Sequence, residues 1–120
     1  MAHTATISVD AMGGECGPQV TVPAVVSFLK RYPKASVLLF GDQFVLNEQS
    51  VLHDLGSLGH RLKIHYSQSI VCDDDRPSSV LKVKRDSSMG LALRAVSDGR
   101  AHACLSAGNT GALMALGLMF

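Results

Sequence analysis

The residues with the clearest capacity for chemistry form a turn near the end of the chain, Ser106-Ala107-Gly108-Asn109-Thr110-Gly111. The pattern predicts a short buried strand, Ala103-Cys104-Leu105, before this turn and a helix after it. Such a turn presents backbone N–H groups, hydroxyls and a side-chain amide at the positive end of a helix dipole, which suits an anion such as phosphate. It is not a P-loop, because no Lys follows Gly111. Simple capping of the helix is the alternative, and the turn by itself leaves both open.

Two more polar loops follow predicted strands. Asp10-Ala11-Met12-Gly13-Gly14 comes after the strand Thr6–Val9, and Gly41-Asp42 comes after the apolar run Ser36–Phe40. Gly13 and Gly14 permit close backbone approach. The carboxylate of Asp10 would repel a phosphate, so the sequence favours a role in orienting a neighbouring Lys or Ser. A tight turn without a ligand is the alternative interpretation.

Cations precede a predicted helix start in the middle of the chain. They are followed by two serines, in the order Lys82, Lys84, Arg85, Ser87, Ser88. Positive side chains beside a helix N-terminus suit phosphate binding. A solvated basic face beside the acidic run Asp73–Asp75 is the competing interpretation.

The elements that must position these loops alternate along the chain. Strands are predicted at 6–9, 36–40, 61–66 and 103–105, with helices between them. Thr21 is the expected cap of the first helix, with Pro23 in its first turn, and Asp42 is the expected cap of the second. Such alternation predicts a mainly parallel α/β sheet with helices on both faces. Loops that follow parallel strands emerge at one edge of the sheet, so the three polar loops are expected to share a site.

Apolar spacing predicts which faces of the next elements point inward. In the second helix Phe44, Val45, Glu48, Val51, Leu52 and Leu55 recur at helical spacing. A short helix is predicted to start at Pro77. A further helix is expected from Met89 to Val96, capped by Ser87 or Asp86 and closed by Asp98-Gly99.

Bulk composition bounds the class of protein. The chain has 120 residues and is 47% hydrophobic, so we expect a single α/β domain over 1–120. Its net charge of +1 produces no strong electrostatic field that would attract nucleic acid. Three unrelated Cys predict free thiols in a reducing cytoplasm, and no spacing predicts a metal site or a cofactor. The apolar pattern through Leu118-Met119-Phe120 lacks a closing residue, which predicts that the chain is truncated, the N-terminal portion of a longer one.

Several segments taken in order resemble a known family. They are Val9-Asp10-Ala11-Met12-Gly13-Gly14, Gly17-Pro18, Gly41-Asp42, Lys84-Arg85-Asp86-Ser87-Ser88-Met89 and Ser106 to Met114. Together they are similar to the bacterial phosphate acyltransferases of the PlsX family, and the resemblance covers essentially the whole chain. It implies a Rossmann-like three-layer α/β/α sandwich, similar to the isocitrate and isopropylmalate dehydrogenases and to phosphotransacetylases.

The resemblance also implies an activity and partners. That family forms acyl phosphate from acyl-[acyl carrier protein] and inorganic phosphate in phospholipid synthesis, and the product feeds a membrane glycerol-phosphate acyltransferase. A cytoplasmic homodimer that can associate peripherally with the membrane is implied, with acyl carrier protein as partner. We expect phosphate or substrate to bind at residues of two of the loops and of the basic segment: Asp10, Gly13, Gly14, Lys82, Lys84, Arg85, Ser87, Ser88, Ser106, Gly108, Asn109, Thr110 and Gly111.

No general base or nucleophile stands out from the residues. Asn109 and Lys84 are the candidates for a catalytic role, because inorganic phosphate itself can act as the nucleophile and needs only positioning and oxyanion stabilisation. Two alternatives stay open on the sequence. One is a phosphotransacetylase-type enzyme that uses a coenzyme A thioester, and the other is a non-catalytic phospholigand-binding or assembly fragment.

Overall fold

A computed structural model describes residues 5–14, 17–70, 75–108 and 110–119, with the backbone alone at 81–83, 110 and 119. The strands are β1 (Thr6–Asp10), β2 (Ser36–Gly41), β3 (Leu62–Tyr66) and β4 (Ala103–Leu105). The helices are α1 (Pro18–Arg31), α2 (Gln43–His53), α3 (Pro77–Val83), α4 (Ser88–Ser97) and α5 (Thr110–Met119), and a 3₁₀ helix spans Leu55–Arg61. No helix among these residues has the length and apolar character needed to cross a membrane.

The four strands form one parallel sheet in the order β3-β2-β1-β4. β2 lies inside the sheet and is buried from Val37 to Gly41, which explains its continuous apolar sequence. β1 pairs with β2 on one side and with β4 on the other, so the loops after β1 and β4 leave the sheet side by side. The predicted parallel α/β sheet is confirmed.

Helices cover both faces of this sheet. On one face, Val25 and Leu29 of α1 and Leu46 of α2 pack with Val37 and Leu39 of β2. On the other face, α4 places Ala92 and Ala95 against the side chains that β2 directs that way, Leu38 and Phe40. α5 packs outside α3 and α4 through Ala112 and Leu116. The three-layer arrangement predicted by the family resemblance is therefore confirmed.

The predicted start of the first helix is wrong. α1 begins at Pro18 after Gly17, four residues before the first residue of a helix capped by Thr21. The Thr21 hydroxyl donates instead to the Gly17 carbonyl at 2.9 Å. Pro23 lies inside the helix. The fixed φ of Pro18 suits the first helical position, and that preference decides the boundary.

Of the residues at helical spacing in the second helix, Leu55 is buried, but most of the others point outward. Asp42 does cap α2, since its carboxylate accepts a hydrogen bond from the Val45 amide at 3.1 Å. However, Leu46 and Gln49 point inward, whereas Phe44 is 82% exposed and Val51 is 86% exposed. Apolar residues surround much of this short helix, so the sequence pattern does not define which side packs.

Among the described residues, the last strand lies at an edge of the sheet. Ala103 and Leu105 are exposed, and Leu105 retains 62% of its surface, so the prediction of a buried strand is wrong. The opposite edge strand, β3, lies within the predicted range 61–66, and its burial pattern is mixed. A short apolar sequence predicts a strand but does not show whether that strand lies at an edge or in the interior of the sheet.

Candidate functional site

A buried carboxylate at the end of β1 joins the polar loops. Asp10 is 3% exposed. Its Oδ1 accepts hydrogen bonds from the Ser88 hydroxyl at 2.6 Å and from the Met12 amide at 3.0 Å, and its Oδ2 accepts one from the Ser106 hydroxyl at 2.8 Å. We call Asp10, Ser88 and Ser106 the Asp10 cluster. It links the loop after β1, the start of α4 and the turn after β4.

Helix α4 brings Ser88 to Asp10 because its start is fixed by hydrogen bonds. The hydroxyl of Ser87 caps the helix by accepting from the Gly90 amide at 3.1 Å, and the Ser88 amide donates to the Ser69 carbonyl at 3.1 Å. Ser87 and Ser88 are both fully buried. The predicted cap at Ser87 is confirmed, and burial of the adjacent serine follows from it.

The loop of Gly13 lies directly against the turn after β4. A Cβ on Gly13 would stand 2.7 Å from the Gly108 nitrogen and 3.2 Å from the Ala107 nitrogen. Real Cβ atoms do not approach a backbone nitrogen so closely, so only glycine fits there. Gly14 adopts a positive φ of 88°, which again favours glycine. The loop of Gly13 and the turn after β4 therefore pack closely against each other.

The hydroxyl protons of Ser88 and Ser106 are both donated to the Asp10 carboxylate. An ionised carboxylate can only accept, so the single hydroxyl protons of Ser88 and Ser106 point at Asp10. The Ser106 oxygen in turn accepts from the Gly108 amide at 3.2 Å. An anion at this edge would therefore bind to backbone N–H groups of the turn after β4 and of the first turn of α5, because both serine protons are donated to Asp10.

The remaining predicted site residues divide into three groups. Gly111 lies in the exposed first turn of α5, directly after the 106–108 turn. Asn109 lies outside the described residues, and the side chains of Thr110 and Lys82 do as well. Asp42 is occupied in capping α2, although Gly41 lies beside Ala11 and Met12.

The basic segment makes contacts away from the Asp10 cluster. The ammonium of Lys84 pairs with Asp75 at 2.5 Å and donates to the Ile70 carbonyl at 2.9 Å. These contacts hold residues 70 and 75 against the end of α3. The Arg85 carbonyl lies under Gly90, where a Cβ would come within 2.0 Å of the carbonyl oxygen. Lys84 and Arg85 stay predicted phosphate ligands, and the structure shows what else they hold.

Ser8 and Cys104 lie near the cluster, and sequence reasoning did not single out Ser8. Ser8 is fully buried in β1, and its hydroxyl donates to the Ala92 carbonyl at 2.7 Å, which fixes α4 over the sheet. Cys104 lies beside it in β4. Burial raises the pKa of the Cys104 thiol, a hydrogen bond with Ser8 opposes this, and the negative charge of Asp10 raises it further. The thiol is therefore not activated as a nucleophile.

Comparisons with known sequences agree on one family. The sequence profile of the family described as "Fatty acid synthesis protein" matches residues 5–120. The chain is 47% identical over 112 residues to the phosphate acyltransferase of Chromobacterium violaceum, and 49% identical over 111 residues to that of Photobacterium profundum. It is 48% identical over 111 residues to that of Pseudomonas aeruginosa. These matches cover 92–93% of this chain but 32% of each relative, so the chain spans about a third of their length.

Proposed function

This chain belongs to the fatty acid synthesis protein family, and we propose from that premise that it carries the phosphate-binding part of a phosphate acyltransferase. The reaction forms acyl phosphate from inorganic phosphate and an acyl thioester of acyl carrier protein, as a step in phospholipid synthesis. Phosphate takes its place at the turn after β4, where the positive end of α5 favours an anion.

The Asp10 cluster is the observation that carries this proposal. A buried carboxylate tied by two serine hydroxyls holds three loops in fixed positions at one edge of a parallel sheet. Preorganised backbone N–H groups can then stabilise charge without reorganising during the reaction. The cluster thus supports a site in which Asp10 positions the loops and does not contact the phosphate.

The chemistry needs no protein nucleophile. A phosphate oxygen attacks the thioester carbonyl, a tetrahedral oxyanion forms, and the carbon–sulfur bond breaks to release the carrier thiolate. The protein's contribution is to place the phosphate against the carbonyl and to stabilise the oxyanion. We assign the phosphate to the backbone amide of Ala107, to Asn109 and Thr110, and to the cations of the Lys82–Arg85 segment, since the Gly108 amide already donates to the Ser106 oxygen.

The proposal also includes the partners and the cellular location of the enzyme. Acyl carrier protein supplies the acyl group, and a membrane glycerol-phosphate acyltransferase consumes the acyl phosphate. A cytoplasmic homodimer with peripheral membrane association suits a product that carries an acyl chain. These partners rest on the family relationship.

The test is a chimera in which this chain replaces the matching third of the Chromobacterium violaceum phosphate acyltransferase, to which it is 47% identical. Acyl thioesters of acyl carrier protein and of coenzyme A, matched in the acyl group, are compared for phosphate-dependent thiol release and acyl phosphate formation. We expect the carrier thioester to have the higher kcat/KM. Preference for the coenzyme A ester would instead assign a phosphotransacetylase, and phosphate binding with no acyl phosphate formed would assign a non-catalytic module.

A further inference from the structure

A second polar pocket lies where the strands begin, at the opposite edge of the sheet from the Asp10 cluster. It has a volume of about 270 Å³, and we call it the amino-edge pocket. Its polar lining comes from the starts of three strands, from the end of the 3₁₀ helix and from the loop between α4 and β4. The residues are Thr6, Ser36, His60, Lys63 and Arg100. Among the described residues that line it there is no carboxylate, so the pocket is basic.

The strand register places Ser36, Leu38 and Lys63 on one face of the sheet. Ser36 and Leu38 are two residues apart in β2, so their side chains point the same way, and Lys63 pairs with Leu38. Leu38 packs against α4, so this is the face that α4 covers. Helix α4 ends at Ser97, and the loop that carries Arg100 follows it. The amino-edge pocket is the space that remains between this loop and the strand starts.

Two cations concentrate positive charge in this pocket. Lys63 and Arg100 both line it. The three ion pairs found within the described residues involve Lys84, Arg94 and Arg100, so the ammonium of Lys63 has no carboxylate partner there. Burial lowers the pKa of His65, two residues further along β3, and the positive charges of Arg100 and Lys63 lower it further. Both cations therefore act on the same corner of the sheet.

Negative groups near the pocket do not cancel this charge. The carbonyls at the end of α4 are satisfied, because the Gly99 amide donates to the Val96 carbonyl at 3.1 Å and the Arg100 amide donates to the Ala95 carbonyl at 2.9 Å. The carboxylate of Asp98 lies 3.5 Å from the Arg100 guanidinium, and both side chains are about half exposed. An exposed pair of this length is weak, so an anion in the pocket can compete with Asp98 for Arg100.

We propose that the amino-edge pocket binds a small phosphate-bearing anion, a diphosphate or a phosphate ester, between Lys63 and Arg100. The Arg100 guanidinium offers paired N–H donors to phosphate oxygens, and the Lys63 ammonium adds a point charge. The His60 imidazole and the hydroxyls of Thr6 and Ser36 can supply further hydrogen bonds.

This ligand is separate from the phosphate that we assign to the turn after β4. Thr6 is the first residue of β1 and Asp10 is its last, so the two sites lie roughly 13 Å apart along the strand. The volume of about 270 Å³ is close to the lower end of small-molecule pockets, which is about 300 Å³, and Leu38 gives the pocket an apolar wall. A phosphate with a small organic part therefore fits better than a bare ion.

The experiment measures how fast N-hydroxysuccinimide acetate acetylates Lys63 in the full-length chimera, with mass spectrometry as the readout. Inorganic pyrophosphate, as the probe, should slow the reaction of Lys63. It should not slow that of Lys30, which is exposed on α1 at the other face of the sheet.

Three variants locate the anion. Arg100→Ala should raise the pyrophosphate concentration that gives half protection of Lys63 about tenfold, because a charge-assisted contact is lost. Asp98→Asn should lower that concentration roughly twofold or more, because a competing carboxylate is removed. Arg76→Ala, at an exposed position before α3, removes the same charge elsewhere and should leave it unchanged.

A parallel titration with phosphatidylglycerol vesicles separates the two sources of such a phosphate. Protection of Lys63 by pyrophosphate alone supports a soluble ligand, and protection by both probes supports a lipid headgroup in the same pocket. Protection by vesicles alone would overturn the pocket and show adsorption to a charged surface.

Other results would also overturn the proposal. One is protection by pyrophosphate that is equal at Lys63 and Lys30, or that Arg100→Ala leaves unchanged. Another is a Lys63 that does not react in the chimera even without an anion, which would show that the rest of the polypeptide fills the pocket. None of these measurements uses enzyme activity, so they stand apart from the test of the proposed function.

Discussion

Asp10 is the residue on which the candidate site depends. Its carboxylate is buried, and its three hydrogen-bond donors come from three different parts of the chain. A buried carboxylate is stable only when its oxygens are satisfied in this way, because burial removes its hydration. The same hydrogen bonds set the direction of two hydroxyl protons, so Asp10 defines which donors remain for a ligand.

Replacement of this carboxylate by an amide should loosen the three loops. In Asp10→Asn one oxygen becomes an NH₂ donor, so one serine hydroxyl loses its acceptor, and we expect the free energy of unfolding in urea to fall by about 1–3 kcal/mol. A double-mutant cycle with Ser106→Ala should give a coupling energy of roughly 0.5–3 kcal/mol. Asp86→Asn is the control, because its side chain is 71% exposed and should change stability by about 0.5 kcal/mol or less. Additive effects of Asp10→Asn and Ser106→Ala would contradict the cluster.

Gly13 should be required for the site rather than for the fold alone. The Cβ of Gly13→Ala would collide with the Gly108 nitrogen at 2.7 Å and push the turn after β4 away. In the chimera we expect the KM for phosphate to rise about tenfold, which corresponds to about 1.4 kcal/mol of lost binding. Gly56→Ala, where a Cβ meets nothing within 4 Å, should leave that KM unchanged. Equal phosphate KM values in both variants would show that the two loops do not shape the site.

At the scale of elements, helix α4 depends on a close contact at its first turn. Gly90 lies over the Arg85 carbonyl, and a Cβ would come within 2.0 Å of that oxygen. Gly90→Ala must therefore displace the 85–87 turn that places Ser88, and the free energy of unfolding should fall by about 1–3 kcal/mol. Gly117→Ala in α5 has no atom within 4 Å of its new Cβ and should raise stability by up to about 1 kcal/mol. Urea denaturation of both variants measures this, and a neutral Gly90→Ala would refute the contact.

The order and type of the elements were predictable because local signals agreed. Pro77 begins α3, Ser87 caps α4, and Asp42 caps α2, as the capping preferences of these residues predict. The continuous apolar run of β2 correctly indicated a strand buried on both faces. Each of these features is decided by contacts within a few residues.

Burial was less predictable, because it is decided by distant neighbours. Nothing in Ala103-Cys104-Leu105 distinguishes an edge from an interior strand, and Phe44 and Val51 look like core residues although they are exposed. In the site, topology predicted that the loops after β1 and β4 lie side by side, whereas the third member of the cluster is the start of α4 and not Gly41-Asp42. The bonds from Ser88 and Ser106 to Asp10 did not, since hydrogen bonds across 78 and 96 residues leave no local pattern.

At the scale of the whole molecule, the chain forms a three-layer unit whose site lies at one border. Asp10 and Ser106 belong both to the cluster and to the wall of an apolar groove between α1 and the sheet. The relatives extend well beyond the matched third. The kinetic tests therefore use the chimera, in which the remaining two thirds come from a relative.

The most direct test of the central claim is the phosphate dependence of acyl phosphate formation by the chimera with Asn109→Ala. Asn109 belongs to the turn that we assign to phosphate, so the KM for phosphate should rise about tenfold or more while the KM for the acyl carrier thioester stays unchanged. Asn47→Ala is the matched control, because Asn47 is an exposed α2 residue that accepts from the Tyr66 hydroxyl at 2.9 Å. A phosphate KM equal to that of the control would contradict the assignment of the turn after β4 as the phosphate site.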